Sequence, residues 1–162
     1  RKIAEYLAER GAGPMVYISG NEDTSTSRER EQGFAEVLEK RGVAYKKYSS
    51  DFSYNGGYET AQKILAEGTV PSSVFAANDI MALGVIDAFR KQGIKIPEQA
   101  KVIGFDNIEM ASWPAYELTT WEQPIEKMVD ETVNYLLAEI GEYTGQARAV
   151  EVEGSFVERT TT

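Results

Sequence analysis

Short runs of consecutive apolar residues alternate along this chain with longer stretches in which apolar residues recur every three or four positions. The runs 15–18, 74–77 and 102–105 are too short for buried helices and read as buried strands. Helical periodicity covers about residues 1–10, 28–40, 58–67 and 80–91, with Gly11, Gly42 and Gly68 closing the first three. A further short strand falls near 44–48. Strand–helix alternation of this kind predicts parallel strands joined by right-handed crossover helices, an α/β doubly wound sheet. After Asp106 the rhythm changes. A loop with Trp113 and Pro114 leads to an extended stretch, 117–121, and Pro124 then opens a helix to about Ile140. Ile125, Met128, Val129, Val133, Leu136, Leu137 and Ile140 fall on one face of it. Residues 148–152 alternate as a strand, 155–159 form a candidate second one, and Thr160 to Thr162 read as a polar tail. The helical pattern is already under way at Arg1, so the chain reads as a piece of a longer protein.

The chemistry concentrates between Ser73 and Asp106. Two buried strands there deliver Asn78-Asp79 and Asp106 to the same sheet edge, and open parallel sheets bind ligands at the carboxyl ends of their strands. An amide can donate to and accept from one hydroxyl, and a carboxylate accepts from two adjacent ones. Such a site holds a small molecule more readily than it transforms one.

Composition narrows the chemistry further. The 162 residues contain no histidine and no cysteine, which excludes Ser-His-Asp and Cys-His nucleophiles, Cys/His zinc sites and redox thiols. Neither a glycine-rich phosphate loop nor GxSxG is present. The polar stretch 19–27 lacks the central glycine of a calcium loop, so no metal or cofactor is expected. A net charge of −9 would repel a phosphate backbone, so any DNA contact belongs outside this chain. No apolar run approaches the ~20 residues of a membrane span.

Five motifs occur in an order that resembles the effector-binding core of the lactose/galactose repressor (LacI-type) transcription regulators. They are SxxRExGF from Ser27 to Phe34, AANDIMALG from Ala76 to Gly84, VIGFDN from Val102 to Asn107, LTTWEQP from Leu118 to Pro124, and the closing GSFVERTTT. The resemblance covers essentially the whole chain and implies a periplasmic-binding-protein-like fold of two subdomains with an effector between them. Residues 1–121 would then be the C-terminal subdomain. Residues 122–152 would be a crossover helix and strand that complete the missing N-terminal subdomain, and 153–162 a return strand and tail.

The same resemblance makes Arg30, Phe52, Asn78 and Asp106 the expected effector contacts, with Arg28, Trp113 and Trp121 as weaker candidates. Each has a plainer alternative. Arg30 would pair with Glu29 or Glu31 at the surface, Phe52 would fold onto the core, and Asp106 would cap its own turn. Asp79 is read as the cap of the following helix and Asn78 as the ligand-facing member of the pair. Trp121 stands where the family favours an aliphatic residue, and Tyr116 where proline is frequent; both departures bear on the shape of the cleft. Residues 80–91 are apolar or small almost all around, more than a surface helix needs; the resemblance implies a homodimer interface there, at Met81, Val85 and Phe89, and the plainer alternative is a helix buried in its own domain. The resemblance thus implies a cytoplasmic, sugar-sensing, dimeric regulator that reaches DNA through an absent N-terminal domain. The alternative is a solute-binding protein for sugar uptake or chemotaxis, and an enzyme comes a distant third.

Overall fold

The structure is a computed structural model and describes residues 1–10, 13–141, 143, 145 and 149–162. Its elements run α1 (Lys2–Arg10), β1 (Met15–Ser19), α2 (Ser25–Lys40), β2 (Tyr45–Ser49), α3 (Tyr54–Ala66), β3 (Ser73–Ala76), α4 (Asp79–Lys91) and β4 (Lys101–Asp106). A 3-10 turn (Glu109–Ser112), β5 (Thr119–Glu122), α5 (Ile125–Gly141) and β6 (Ser155–Val157) follow. The sheet order is β2-β1-β3-β4-β5-β6; the first five strands are parallel and β6 pairs antiparallel with β5. The chain steps outward from β1 to β2, then returns across β1 to β3 and continues toward β5. With right-handed crossovers, this reversal puts α2 on one face and α3 and α4 on the other. It also opens a crevice between the carboxyl ends of β1 and β3.

Burial follows strand position. Every residue of β1 and β3 is buried, as central strands covered by helices on both faces require. The edge strand β2, YKKYS, buries only Tyr48 and points its lysines outward, which discourages pairing with another sheet. On the α2 face, the rings of Tyr17, Phe34 and Phe75 lie 5.2–5.5 Å apart and fill the core.

Three helix starts differ from the sequence reading, each for a capping reason. Thr24 accepts from the Ser27 amide at 3.2 Å and Ser53 from that of Gly56 at 2.9 Å. Both helices therefore begin before their apolar periodicity does. The cap of α4 is Asn78, whose Oδ1 accepts from the Met81 amide at 3.0 Å; Asp79 does not have that role.

Helix α4 is also where the proposed dimer residues are corrected. Met81, Val85 and Phe89 are 0% exposed within this single chain. Helix α3 packs directly against α4. Glycines let the two helices cross closely: a Cβ on Gly57 would stand 2.3 Å from the Met81 carbonyl oxygen, and one on Gly84 2.2 Å from that of Tyr54. The apolar surplus of α4 serves burial in its own domain.

The end of the chain is likewise no free tail. Thr161 is buried, donating its hydroxyl to the Val102 carbonyl at 2.7 Å and accepting the Thr119 amide at 2.9 Å. The strand expected over 148–152 is not formed at 149–152, and Arg148 and Gly11 lie outside the described residues. Helix α5 buries none of its residues. Its apolar face stands in solvent, from Ile125 to Ile140.

Candidate functional site

Four loops converge at the carboxyl edge of the sheet. The loop after β1 leads into α2 and Arg30, the loop after β2 carries Phe52, the end of β3 carries Asn78, and β4 ends at Asp106. The structure brings Arg30 and Asp106 into direct contact: Nη2 of Arg30 donates to Oδ1 of Asp106 at 3.2 Å. A second guanidinium nitrogen donates to the Ala77 carbonyl, and the guanidinium carbon sits 3.9 Å from the centre of the Phe105 ring. The Arg30 side chain is only 13% exposed. Surface pairing with Glu29 or Glu31 is therefore not its role, and Glu31 instead pairs with Lys47 at 2.8 Å. Three anchors fix the planar donor fork at the crevice, where its geometry suits a pair of ligand oxygens.

Asp106 Oδ1 also accepts from Nε2 of Gln123 at 2.5 Å. Burial pushes this carboxyl above its ordinary pKa, and Arg30 and Gln123 pull against the shift. The backbone here is strained. Asp106 has φ +120° and Asn107 φ +56°, conformations that L residues rarely adopt and that cluster at functional sites. Phe52 is a third such residue, at φ +64°. Its ring closes over Gly20, where a Cβ would stand 2.1 Å from the ring, and its carbonyl accepts from Asn78 Nδ2 at 3.1 Å. Asn78 thus spends one bond on the helix cap and one on the Phe52 loop. The four principal candidates share one edge, linked in two pairs.

The weaker candidates separate. Trp121 lines a pocket of about 720 Å³ together with Arg30, Phe105 and Gln123, on the face of the sheet that carries α1 and α2. Phe52, Asn78 and Asp106 are not among that pocket's walls. Arg28 is exposed and braces the preceding loop through the Glu22 carbonyl at 3.1 Å. Trp113 is 45% exposed on the turn before β5. Gln123 and Phe105 escaped the sequence reading. Both lie inside motifs of the resemblance, Gln123 in LTTWEQP and Phe105 in VIGFDN, but neither was singled out as a site residue.

Asp79 turns away from the crevice into the protein. It is 0% exposed; Oδ1 accepts from the Thr120 hydroxyl at 2.6 Å and Oδ2 from the Ile108 amide at 2.9 Å. Burial raises its pKa to about 6 against these bonds, and the neighbouring Asp106 charge adds to the rise. A carboxylate enclosed in this way cannot face a substrate alongside Asp106, which removes the paired-carboxylate chemistry of glycoside hydrolysis. Among the described residues, no three His, Cys, Asp or Glu gather where a metal ion could sit. What the edge offers is a fixed cation, an acceptor carboxylate, an amide and an aromatic ring. Those groups suit hydrogen bonding and stacking with a polar ligand.

Residues 4–162 match the periplasmic binding protein-like domain. The chain belongs to that family. Among curated relatives, the repressor PurR of Erwinia tasmaniensis is 34% identical over 157 residues, covering 95% of this chain and 46% of the relative. The chain thus spans about half the length of the curated relatives it matches. Two solved structures superpose closely. A transcriptional regulator CelR–cellobiose complex gives a TM-score of 0.91 at 28% identity, over 98% of this chain and 50% of that one. A lac repressor dimer bound to operator and an anti-inducer gives 0.89 at 26%, over 98% and 55%.

Proposed function

We propose that this chain is the effector-binding half-core of a cytoplasmic transcription regulator, that the effector is a carbohydrate, and that Arg30 and Asp106 hold it. The observation that carries the reading is the half-buried Arg30–Asp106 pair at the carboxyl edge of a switch-point sheet. Phe52 and Asn78 stand beside it on the next loops. The matched relatives are repressors, which favours a regulator over a solute-binding protein, and the CelR structure holds a disaccharide. Residues 1–121 form the subdomain. Helix α5 reaches into a second subdomain, whose sheet covers the apolar face that α5 leaves in solvent. Effector binding then biases the relative orientation of the two subdomains, and with it the spacing of the DNA-binding heads of a homodimer. The interface of that dimer draws on exposed positions such as Tyr54 and Trp113, since Met81, Val85 and Phe89 of α4 are fully buried within the chain.

The test is thermal denaturation of the full gene product with cellobiose and a panel of mono- and disaccharides. A sugar that raises the melting temperature of the wild type should leave Asp106→Ala unmoved while the far-ultraviolet spectrum stays native. Undiminished stabilisation of Asp106→Ala would reject Asp106 as a contact. No stabilisation by any sugar would reject the carbohydrate class.

A further inference from the structure

The turn that presents Asp106 is held from beneath by a group that touches no ligand. Asp79, at the start of α4, sends its carboxylate across the sheet edge under the β4–β5 connection. Oδ2 accepts the Ile108 amide at 2.9 Å; Oδ1 accepts the Thr120 hydroxyl at 2.6 Å, and that hydroxyl in turn receives the Asn107 amide at 3.4 Å. Two successive amides after Asp106 thus answer to one buried carboxylate. The strand opposite is shaped to admit it: a Cβ at Gly104 would stand 2.1 Å from Asp79 Oδ1. Of the two adjacent residues in strained backbone, Asp106 at φ +120° and Asn107 at φ +56°, the second is itself restrained in this way and the first directly precedes it. Strain of this kind persists only where surrounding contacts over-determine it.

We infer that Asp79 is a positioning residue for the effector site, holding Asp106 in the strained conformation that points its carboxylate at Arg30. This rests on the reading of Asp106 as an effector contact, but its test needs no effector. A carboxylate is suited to the position because both its oxygens accept without a competing proton, and the acceptors must lie deep enough to exclude water. Asparagine can substitute. Its oxygen accepts from Ile108, and its amide donates to the Thr120 hydroxyl, which serves equally as acceptor. Alanine leaves the Ile108 amide buried without a partner, and the turn relaxes toward ordinary backbone.

Hydrogen exchange by nuclear magnetic resonance on the labelled chain decides the matter, comparing Asp79→Ala with Asp79→Asn. Both variants lack the charge, so a difference between them reports position and not electrostatics. Asp79→Ala should speed exchange of the Ile108 amide and of the Arg30 guanidinium protons at least tenfold relative to β1 and β3. Asp79→Asn should hold both near wild type. A merely structural Asp79 would lower stability and speed all amides together. Selective protection of Arg30 surviving in a folded Asp79→Ala, or lost equally in Asp79→Asn, would overturn the inference. Should Asp79→Ala fail to fold, Thr120→Val decides in its place: it should release the Asn107 amide and the Arg30 protons selectively, and unchanged exchange at both would overturn the inference.

Discussion

Replacing Asp79 by asparagine should make this protein more stable near neutral pH and leave it about as stable in acid. Asp79 titrates at about 6 in the folded chain against an ordinary aspartate value of 3.8, chiefly because burial disfavours its charge. A raised folded pKa means that the native state binds the proton more tightly than the unfolded chain. The carboxyl therefore contributes most below pH 3.8, and that contribution is lost as pH rises through about 6. A difference of roughly two pKa units corresponds to about 3 kcal/mol at full ionisation. The side chain is 0% exposed, so solvent screening does not reduce this figure. Asparagine keeps both hydrogen bonds without the charge. Urea denaturation of wild type and Asp79→Asn between pH 5 and 7.5 samples about half of the change, so the variant should gain about 1.4 kcal/mol on the wild type across that range. Other shifted carboxyls, including Asp106, titrate in both proteins and largely cancel in the difference. A difference that stays constant with pH, or that grows in favour of the wild type, would refute the burial argument.

Two further perturbations test the packing that supports the site. Gly84→Ala should gain about 1 kcal/mol of helix propensity, yet its Cβ would meet the Tyr54 carbonyl at 2.2 Å and the Tyr58 amide at 2.8 Å. Backbone cannot yield as a side chain does, so a net loss of about 2 kcal/mol or more is expected in urea, and net stabilisation would show that α3 does not cross there. Val85→Glu would place an unpaired carboxylate in a fully buried position, at a cost of several kcal/mol. That is a large share of the ~5–15 kcal/mol of a typical domain. Circular dichroism should show a strongly lowered or absent melting transition; an unchanged one would return α4 to the surface.

Much of this molecule was readable from local pattern. The parallel sheet followed from apolar runs alternating with helical periodicity, because strands buried on both faces need continuous apolar sequence. The helix starts at Thr24 and Ser53 and the burial of Thr161 were not readable. Each depends on one side chain meeting a backbone group, and polar residues at such places look no different from solvated ones. Helix α4 shows the limit from the other side. Its all-round apolar character correctly announced two covered faces, but the sequence could not say whether a second copy or α3 covers the outer one. Gly57 and Gly84 settle the matter only once their backbones are seen to cross.

The site divides in the same way. By itself the sequence determined that the carboxyl ends of β3 and β4 carry an amide and a carboxylate, because strand length and alternation fix which residues end a strand. It also determined that no histidine or cysteine chemistry is available. Tertiary structure alone decided that Arg30 reaches Asp106 across 76 positions, that Gln123 joins them, and that Asp79 turns inward while Asn78 caps the helix. The physical reason is that adjacent residues on a strand-to-helix turn diverge to opposite sides. Which one faces the crevice depends on the partners waiting there, here Ile108 and Thr120, and those come from strands far along the chain.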